Sequence, residues 1–84
     1  MKVALKLYAM LSDYLPAEAR QSNRLDLEVV PGTTPATLIE RFALPAKLCH
    51  LVLVNGAFVP PEDRAARTLV EGDELAIWPP IAGG

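Results

Sequence analysis

Proline decides how this chain can be divided into elements. Residues 16, 31, 35, 45, 60, 61, 79 and 80 are proline, eight in 84 residues. A proline has no amide to donate and pushes the residue before it out of the helical region, so each one ends or begins an element. The chain is thereby cut into short segments, and the hydrophobic pattern inside each says what it forms.

Val3, Leu5 and Leu7 alternate with Ala4, Lys6 and Tyr8, which predicts a strand with one buried face. Met10, Leu11, Tyr14 and Leu15 fall at helical spacing, predicting a short helix that Pro16 stops. The polar, small-residue stretch 17–24 reads as loop. Leu25, Leu27 and Val29 alternate with Asp26 and Glu28 as a second strand. Pro31-Gly32 is a turn signal. Thr33-Thr34-Pro35 opens a helix, with a threonine hydroxyl to cap orphan amides and a proline that has no amide to lose. Leu38, Ile39 and Phe42 form its inward stripe, Glu40 and Arg41 point outward, and Pro45 bounds it. Leu51-Val52-Leu53-Val54 is apolar throughout, as a sheet's central strand would be. Asn55-Gly56 is a strong hairpin signal leading into Phe58-Val59, which Pro60-Pro61 ends. After a polar connection over 62–67, Leu69-Val70 dips towards the core and Gly72-Asp73 turns into the last strand. There Leu75 and Ile77 alternate with Glu74, Ala76 and Trp78. Pro79-Pro80 must end any ladder, leaving Ile81-Ala82-Gly83-Gly84 as a tail.

This order predicts an α+β domain over residues 1–80, with a flexible tail over 81–84. It fits a ubiquitin-like β-grasp: a mixed four-to-five-stranded sheet with one main helix packed on one face.

Composition narrows the function. A hydrophobic fraction of 51% supports a folded core, but 84 residues build only a thin one, with no room for a deep catalytic pocket. The net charge is −2 and Lys and Arg do not cluster, so a nucleic-acid surface is not expected. No apolar run approaches the roughly 20 residues of a membrane span, and the start lacks the apolar stretch of a signal peptide. A soluble, cytoplasmic protein is the expectation. One cysteine excludes an internal disulfide and a multi-cysteine metal site, so no metal ligands are assigned. Cys49 and His50 are sequence neighbours and on a strand would point to opposite faces rather than form a dyad; Cys49 reads as a core or helix-end residue and His50 as a surface one. No glycine-rich phosphate loop is present. The chain does not read as a self-contained enzyme.

The C-terminus is the exception. Gly83 and Gly84, lacking Cβ, can thread a narrow channel in a partner and adopt any backbone angles there. Pro79-Pro80 is stiff by comparison and would hold the terminus away from the domain. The terminal carboxylate, with a pKa of about 3.5, is an anion at neutral pH and a poor electrophile. It reacts only after activation, and with no ATP site here the activation must come from a partner. A frayed terminus that happens to end in glycine is the alternative.

Val54-Asn55-Gly56, Phe58-Val59-Pro60, the run Leu69 to Ile77 and the ending Pro79-Pro80-Ile81-Ala82-Gly83-Gly84 resemble the MoaD/ThiS family of ubiquitin-like sulfur carriers. The segment from Pro31 through Ile39 is similar to the family's strand-turn-helix, and the stretch Leu7 to Leu15 resembles the molybdopterin-type carriers. Trp78 departs from the pattern, standing where an aliphatic residue is more usual. The resemblance implies that an E1-like adenylyltransferase, using ATP and Mg²⁺, adenylates Gly84. Sulfur from a persulfide donor then makes a thiocarboxylate, which a molybdopterin synthase large subunit or equivalent acceptor uses in molybdenum cofactor biosynthesis. This chain itself would bind no cofactor. A carrier for thiamine thiazole or another sulfur pathway, a ubiquitin-like protein modifier and a plain interaction module are the alternatives. Partner docking is expected on an apolar sheet face beside the tail, from Phe58, Leu69, Trp78, Pro80, Ile81 and Ala82, with ordinary core packing an equal alternative for Phe58 and Leu69, and with Ile81 the leading contributor because no core strand remains for it to join.

Overall fold

The structure, a computed structural model, describes residues 1–80. Its five strands are β1 (Lys2–Leu7), β2 (Arg24–Glu28), β3 (Leu51–Val54), β4 (Ala57–Phe58) and β5 (Glu74–Trp78), with one α-helix, α1 (Pro35–Arg41). They form one mixed sheet in the order β2-β1-β5-β3-β4. β1 and β5 run parallel at its middle, with Leu5 opposite Leu75 and Leu7 opposite Ile77, and the other pairs are antiparallel. This is the expected α+β arrangement of a mixed sheet and one helix, with five strands where four to five were expected.

The core lies between α1 and one sheet face. Leu5, Leu7, Val52, Leu75 and Ile77 are fully buried, and Leu38 from the helix packs into the same cluster with Ile39 and Phe42 beside it. The helix starts as its sequence requires. Thr34 Oγ1 accepts from the Thr37 amide at 3.2 Å, Thr37 Oγ1 accepts from the Thr34 amide at 3.4 Å, and Pro35 occupies the first turn. It ends in a Schellman motif, with the Ala43 amide on Glu40 O and the Leu44 amide on Ile39 O, both at 3.0 Å. Ala43, not a glycine, takes the left-handed conformation there, at φ +56°.

Three expectations are corrected. The segment after β1 is a 3-10 helix, Ala9–Tyr14, with three residues per turn rather than 3.6. Leu11 and Leu15 are buried, while Met10 and Tyr14 face solvent. The stretch read as loop contains a 3-10 turn at Ala17–Ala19 that buries Ala19, and Arg24 already belongs to β2. β3 is not the central strand; that place belongs to β5. Val52 and Val54 are buried, but Leu51 and Leu53 lie on the sheet's other face and are partly exposed. The apolar run therefore marks a strand with a sticky outer face rather than one buried on both sides.

Two polar clasps close the loops. Asn55 Nδ2 donates to Asp73 Oδ1 at 2.8 Å, the Val70 amide donates to Asp73 Oδ2 at 2.9 Å, and the Glu74 amide donates to Asn55 Oδ1 at 2.9 Å. Asp73 is buried, so these bonds satisfy a carboxylate that would otherwise be costly. Arg64 donates to the carbonyls of Cys49, Val59 and His50 at 2.8, 3.2 and 3.3 Å, tying the connection after β4 to the segment before β3.

Candidate functional site

The face of the sheet away from α1 has two halves. Strand alternation and register place Arg24, Asp26, Lys6 and Glu74 over β2, β1 and the start of β5. Lys6 Nζ lies 3.7 Å from Glu74 Oε1, and Arg24 bridges Asp26 at 3.1 Å and Glu74 at 3.4 Å. The Tyr8 side chain first, then Glu74, hold the Lys6 ammonium above its ordinary value. Over the other half the same alternation presents Ala76 and Trp78 of β5, Leu51 and Leu53 of β3, and Phe58 of β4. Leu53 stands opposite both Ala76 and Phe58, and Leu51 opposite Trp78. Phe58 is 54% exposed and Leu51 37%. A continuous apolar strip on an exposed sheet face is the kind of surface a partner covers.

This strip ends where the chain leaves the sheet. The parallel register that sets Leu7 beside Ile77 also sets Tyr8 beside Trp78, and their rings stack with centroids 4.0 Å apart and planes parallel. The last two β5 carbonyls are held from both sides: the Tyr8 amide donates to Ile77 O at 3.2 Å and the His50 amide to Trp78 O at 3.1 Å. Pro79, half-buried, and Pro80, exposed, come directly after and cannot extend the ladder. The end of β5 from which the C-terminal segment departs is thus hydrogen-bonded to both neighbouring segments.

The predicted docking residues separate accordingly. Phe58, Trp78 and Pro80 lie on or beside the apolar strip. Leu69 does not: it is 2% exposed, packs in the core and donates its amide to Thr33 O at 2.8 Å. Its place is structural, and Leu51 and Leu53, expected in a buried central strand, occupy the face instead. Gly83, Gly84, Ile81 and Ala82 lie outside the described residues, as does the tail expected over 81–84.

The described residues offer little for chemistry of their own. No three His, Cys, Asp or Glu side chains among them come together to hold a metal ion. A groove of about 260 Å³ beside Phe58 is lined by Val59, Pro60, Asp63, Ala66 and Arg67, and one of about 640 Å³ runs along α1 from Thr34 to Arg41; both are open to solvent. Neither joins a nucleophile to a base. Cys49 is buried with Sγ 3.5 Å from Pro45 O; burial pushes its thiol up, against a smaller opposing effect of Arg64. His50 is exposed, as expected. No helix among the described residues is long and apolar enough to cross a membrane.

Comparison with known proteins agrees with this geometry. The model of the ThiS family matches residues 14–84. Among solved structures, SAMP1 from Haloferax volcanii is similar over the whole of both chains, with 26% sequence identity and a TM-score of 0.66. No curated protein matches by sequence.

Proposed function

The chain belongs to the ThiS family of small ubiquitin-like carriers, and on that premise we propose that its working group is the carboxylate of Gly84, activated by an E1-like adenylyltransferase and converted to a thiocarboxylate. The observation that carries this reading is the anchored end of β5. Ile77 O and Trp78 O are each held by a neighbouring amide, and Pro79-Pro80 comes directly after them. A domain that fixes the root of its C-terminal segment and offers an apolar face beside it is built to be gripped by its body while its terminus reacts elsewhere.

The chemistry starts from the carboxylate. As an anion it resists attack, and adenylation by ATP in the partner, with Mg²⁺ there, gives it a leaving group. Sulfur from a persulfide then displaces AMP at the acyl carbon, and a thiol that reduces the resulting S–S bond leaves the thiocarboxylate. Its sulfur is a strong nucleophile, suited to transfer. The residues that catalyse these steps belong to the partners. This chain supplies the docking face, from Phe58, Leu51, Leu53, Trp78 and Pro80, with Ile81 and Ala82 beyond, and Gly83 lets the terminus thread the partner's site.

The acceptor we assign is the large subunit of a molybdopterin synthase. The helical segment Ala9–Tyr14 after β1 supports this, since resemblance to the molybdopterin-type carriers rests on that stretch. The need for ATP and a persulfide donor fits a protein of the cytoplasm. ATP–pyrophosphate exchange by an E1-like enzyme tests the activation step. The full chain is expected to support exchange, and a chain lacking Gly84 to fail. Equal exchange with both would remove the terminus from the mechanism.

A further inference from the structure

Asn55 does more than turn the chain between β3 and β4. Its carboxamide is tied at both ends where β5 begins: Nδ2 donates to Asp73 Oδ1 at 2.8 Å, and Oδ1 accepts from the Glu74 amide at 2.9 Å. Its own amide donates to Glu74 O at 2.9 Å. Asp73 is buried and takes the Val70 amide on its second oxygen at 2.9 Å, so the acceptor is itself fixed. The other asparagine of the chain, Asn23, gives its Nδ2 to a backbone carbonyl, Leu7 O, at 2.9 Å.

An asparagine before a glycine is open to attack on its side-chain carbonyl by the next backbone nitrogen, because glycine has no Cβ to shield that nitrogen. Nothing lies within 4 Å of the position a Cβ would take on Gly56, and both residues are exposed, so water has access. Attack forms a bond from the Gly56 nitrogen to Asn55 Cγ and breaks the bond from Cγ to Nδ2. Nδ2 leaves as ammonia with the proton that the Gly56 nitrogen gives up. Water then opens the cyclic imide, leaving aspartate if it adds at one carbonyl and isoaspartate, with an extra backbone methylene, if it adds at the other.

For this reaction the carboxamide must turn its face to the Gly56 nitrogen, whereas bonds at both its ends hold its plane towards β5. Nδ2, the atom that has to leave, is bound to a carboxylate. The clasp cannot close again afterwards. Aspartate at position 55 would put a second carboxylate where Nδ2 now lies 2.8 Å from Asp73 Oδ1, and like charges that close repel. Isoaspartate would lengthen the turn that sets Leu53 opposite Phe58.

We propose that Asn55 is a self-modification site controlled by Asp73: the closed clasp protects the carboxamide, and when it opens Asn55 cyclises onto Gly56 and is converted irreversibly to aspartate or isoaspartate. The site is a one-way record of opening between the β3–β4 turn and the start of β5. It is independent of the carrier chemistry.

The test follows the peptide containing Asn55 by mass spectrometry over days at neutral pH, reading replacement of the side-chain NH₂ by OH. The wild-type chain, folded and in urea, is compared with Asp73→Ala, which opens the clasp, with Asp73→Asn, which offers an acceptor to only one of its two donors, and with Leu38→Ala, which empties a core site on α1 away from it. Circular dichroism selects conditions in which each variant is folded. In urea, conversion should be fast at Asn55 and slow at Asn23, where the Arg24 side chain shields the nitrogen. Folded wild-type and Leu38→Ala should convert slowly at Asn55. Folded Asp73→Ala should convert faster by about tenfold or more, the factor that a hydrogen bond to a charged group represents, with Asp73→Asn between, carrying the test if Asp73→Ala does not fold. Asn55→Asp, one of the products, should be less stable than Asn55→Ala, which loses the bonds without adding a charge. Equal rates in the folded wild-type chain and the folded Asp73 variants overturn the proposal. So does a wild-type rate as fast folded as in urea, a rise in Leu38→Ala equal to that in Asp73→Ala, or an Asn55→Asp chain as stable as wild type. None of these outcomes touches the proposed function, which stands or falls on Gly84.

Discussion

Leu53 of β3 stands directly opposite Phe58 of β4 across the Asn55-Gly56 hairpin, and both side chains face away from the helix. The pairing comes from the turn. Asn55 at φ +51° and Gly56 at φ +84° make a two-residue connection of the kind that fixes hairpin register, and a slip of one residue would send Leu53 and Phe58 into the core. The hairpin thus serves the surface more than the core, by setting an apolar pair at the outer end of the strip that leads to Trp78.

Phe58 and Leu69 should respond in opposite ways to substitution. Phe58→Asp removes an exposed ring and should leave Tm nearly unchanged, while raising KM for the activating enzyme by about tenfold, in line with an interface anchor worth more than about 1 kcal/mol. Leu69→Ala should destabilise the fold by about 2–4 kcal/mol in urea denaturation, because it empties a core site, and should leave KM unchanged while the chain is folded.

Asp73 is the joint between two turns. In Asp73→Ala the Val70 amide and the Asn55 side chain lose their acceptor, which should cost about 2 kcal/mol by denaturant titration. Asn55→Ala removes the partner bond as well, and a double-mutant cycle should show the two residues strongly non-additive. Additive effects would mean that the turns fold independently.

Much of this fold is legible in the chain alone, for reasons visible in single residues. The alternation in Val3, Leu5, Leu7 and in Leu75, Ile77 is legible because one face of each strand is buried and the other is not. The helix start is legible because Thr34 and Pro35 do locally what they do in isolation. Its end is not, because Ala43 stands where a glycine usually signals the turn, and only Pro45 remains as a marker. Leu51 and Leu53 mislead because an apolar run reads alike whether its second face meets a core or a partner. Leu69, with a threonine before it and an exposed valine after, gives no period to separate core from surface. The Tyr8–Trp78 stack joins the two ends of the chain through a parallel pairing, and Arg64 acts on three carbonyls; neither kind of contact leaves a local pattern.

Ala43→Gly should stabilise the protein. The residue sits in the left-handed region at φ +56° and terminates α1, so glycine relieves steric strain there, partly offset by its greater freedom in the unfolded chain. A gain of about 0.5–1 kcal/mol in urea denaturation is expected, with no change in activation by the partner.

Cys49 should be a poor nucleophile in the native chain. Burial raises its pKa, so at any pH near neutrality its thiolate fraction is below that of a free cysteine. Labelling by a disulfide reagent at pH 8 should be slow, rise with further increase in pH, and become fast in urea. The linked stability has a fixed sign. A folded pKa above the unfolded one gives a contribution that is full below about pH 8.5 and is lost as pH rises through the folded value. Rapid native labelling at pH 7 would contradict the buried placement and reopen a role for Cys49 in sulfur handling.

The most direct test is mass spectrometry of the C-terminal peptide after incubating the chain with an E1-like enzyme, ATP and a persulfide donor. The account predicts replacement of one oxygen by sulfur, mapped to Gly84 and separated from oxidation of Met10, with no diglycine-linked adducts on other proteins. An unmodified Gly84, with an enzyme proven active on its own carrier, would contradict the carrier mechanism. Isopeptide adducts through Gly84, with no thiocarboxylate formed, would make the chain a protein modifier instead.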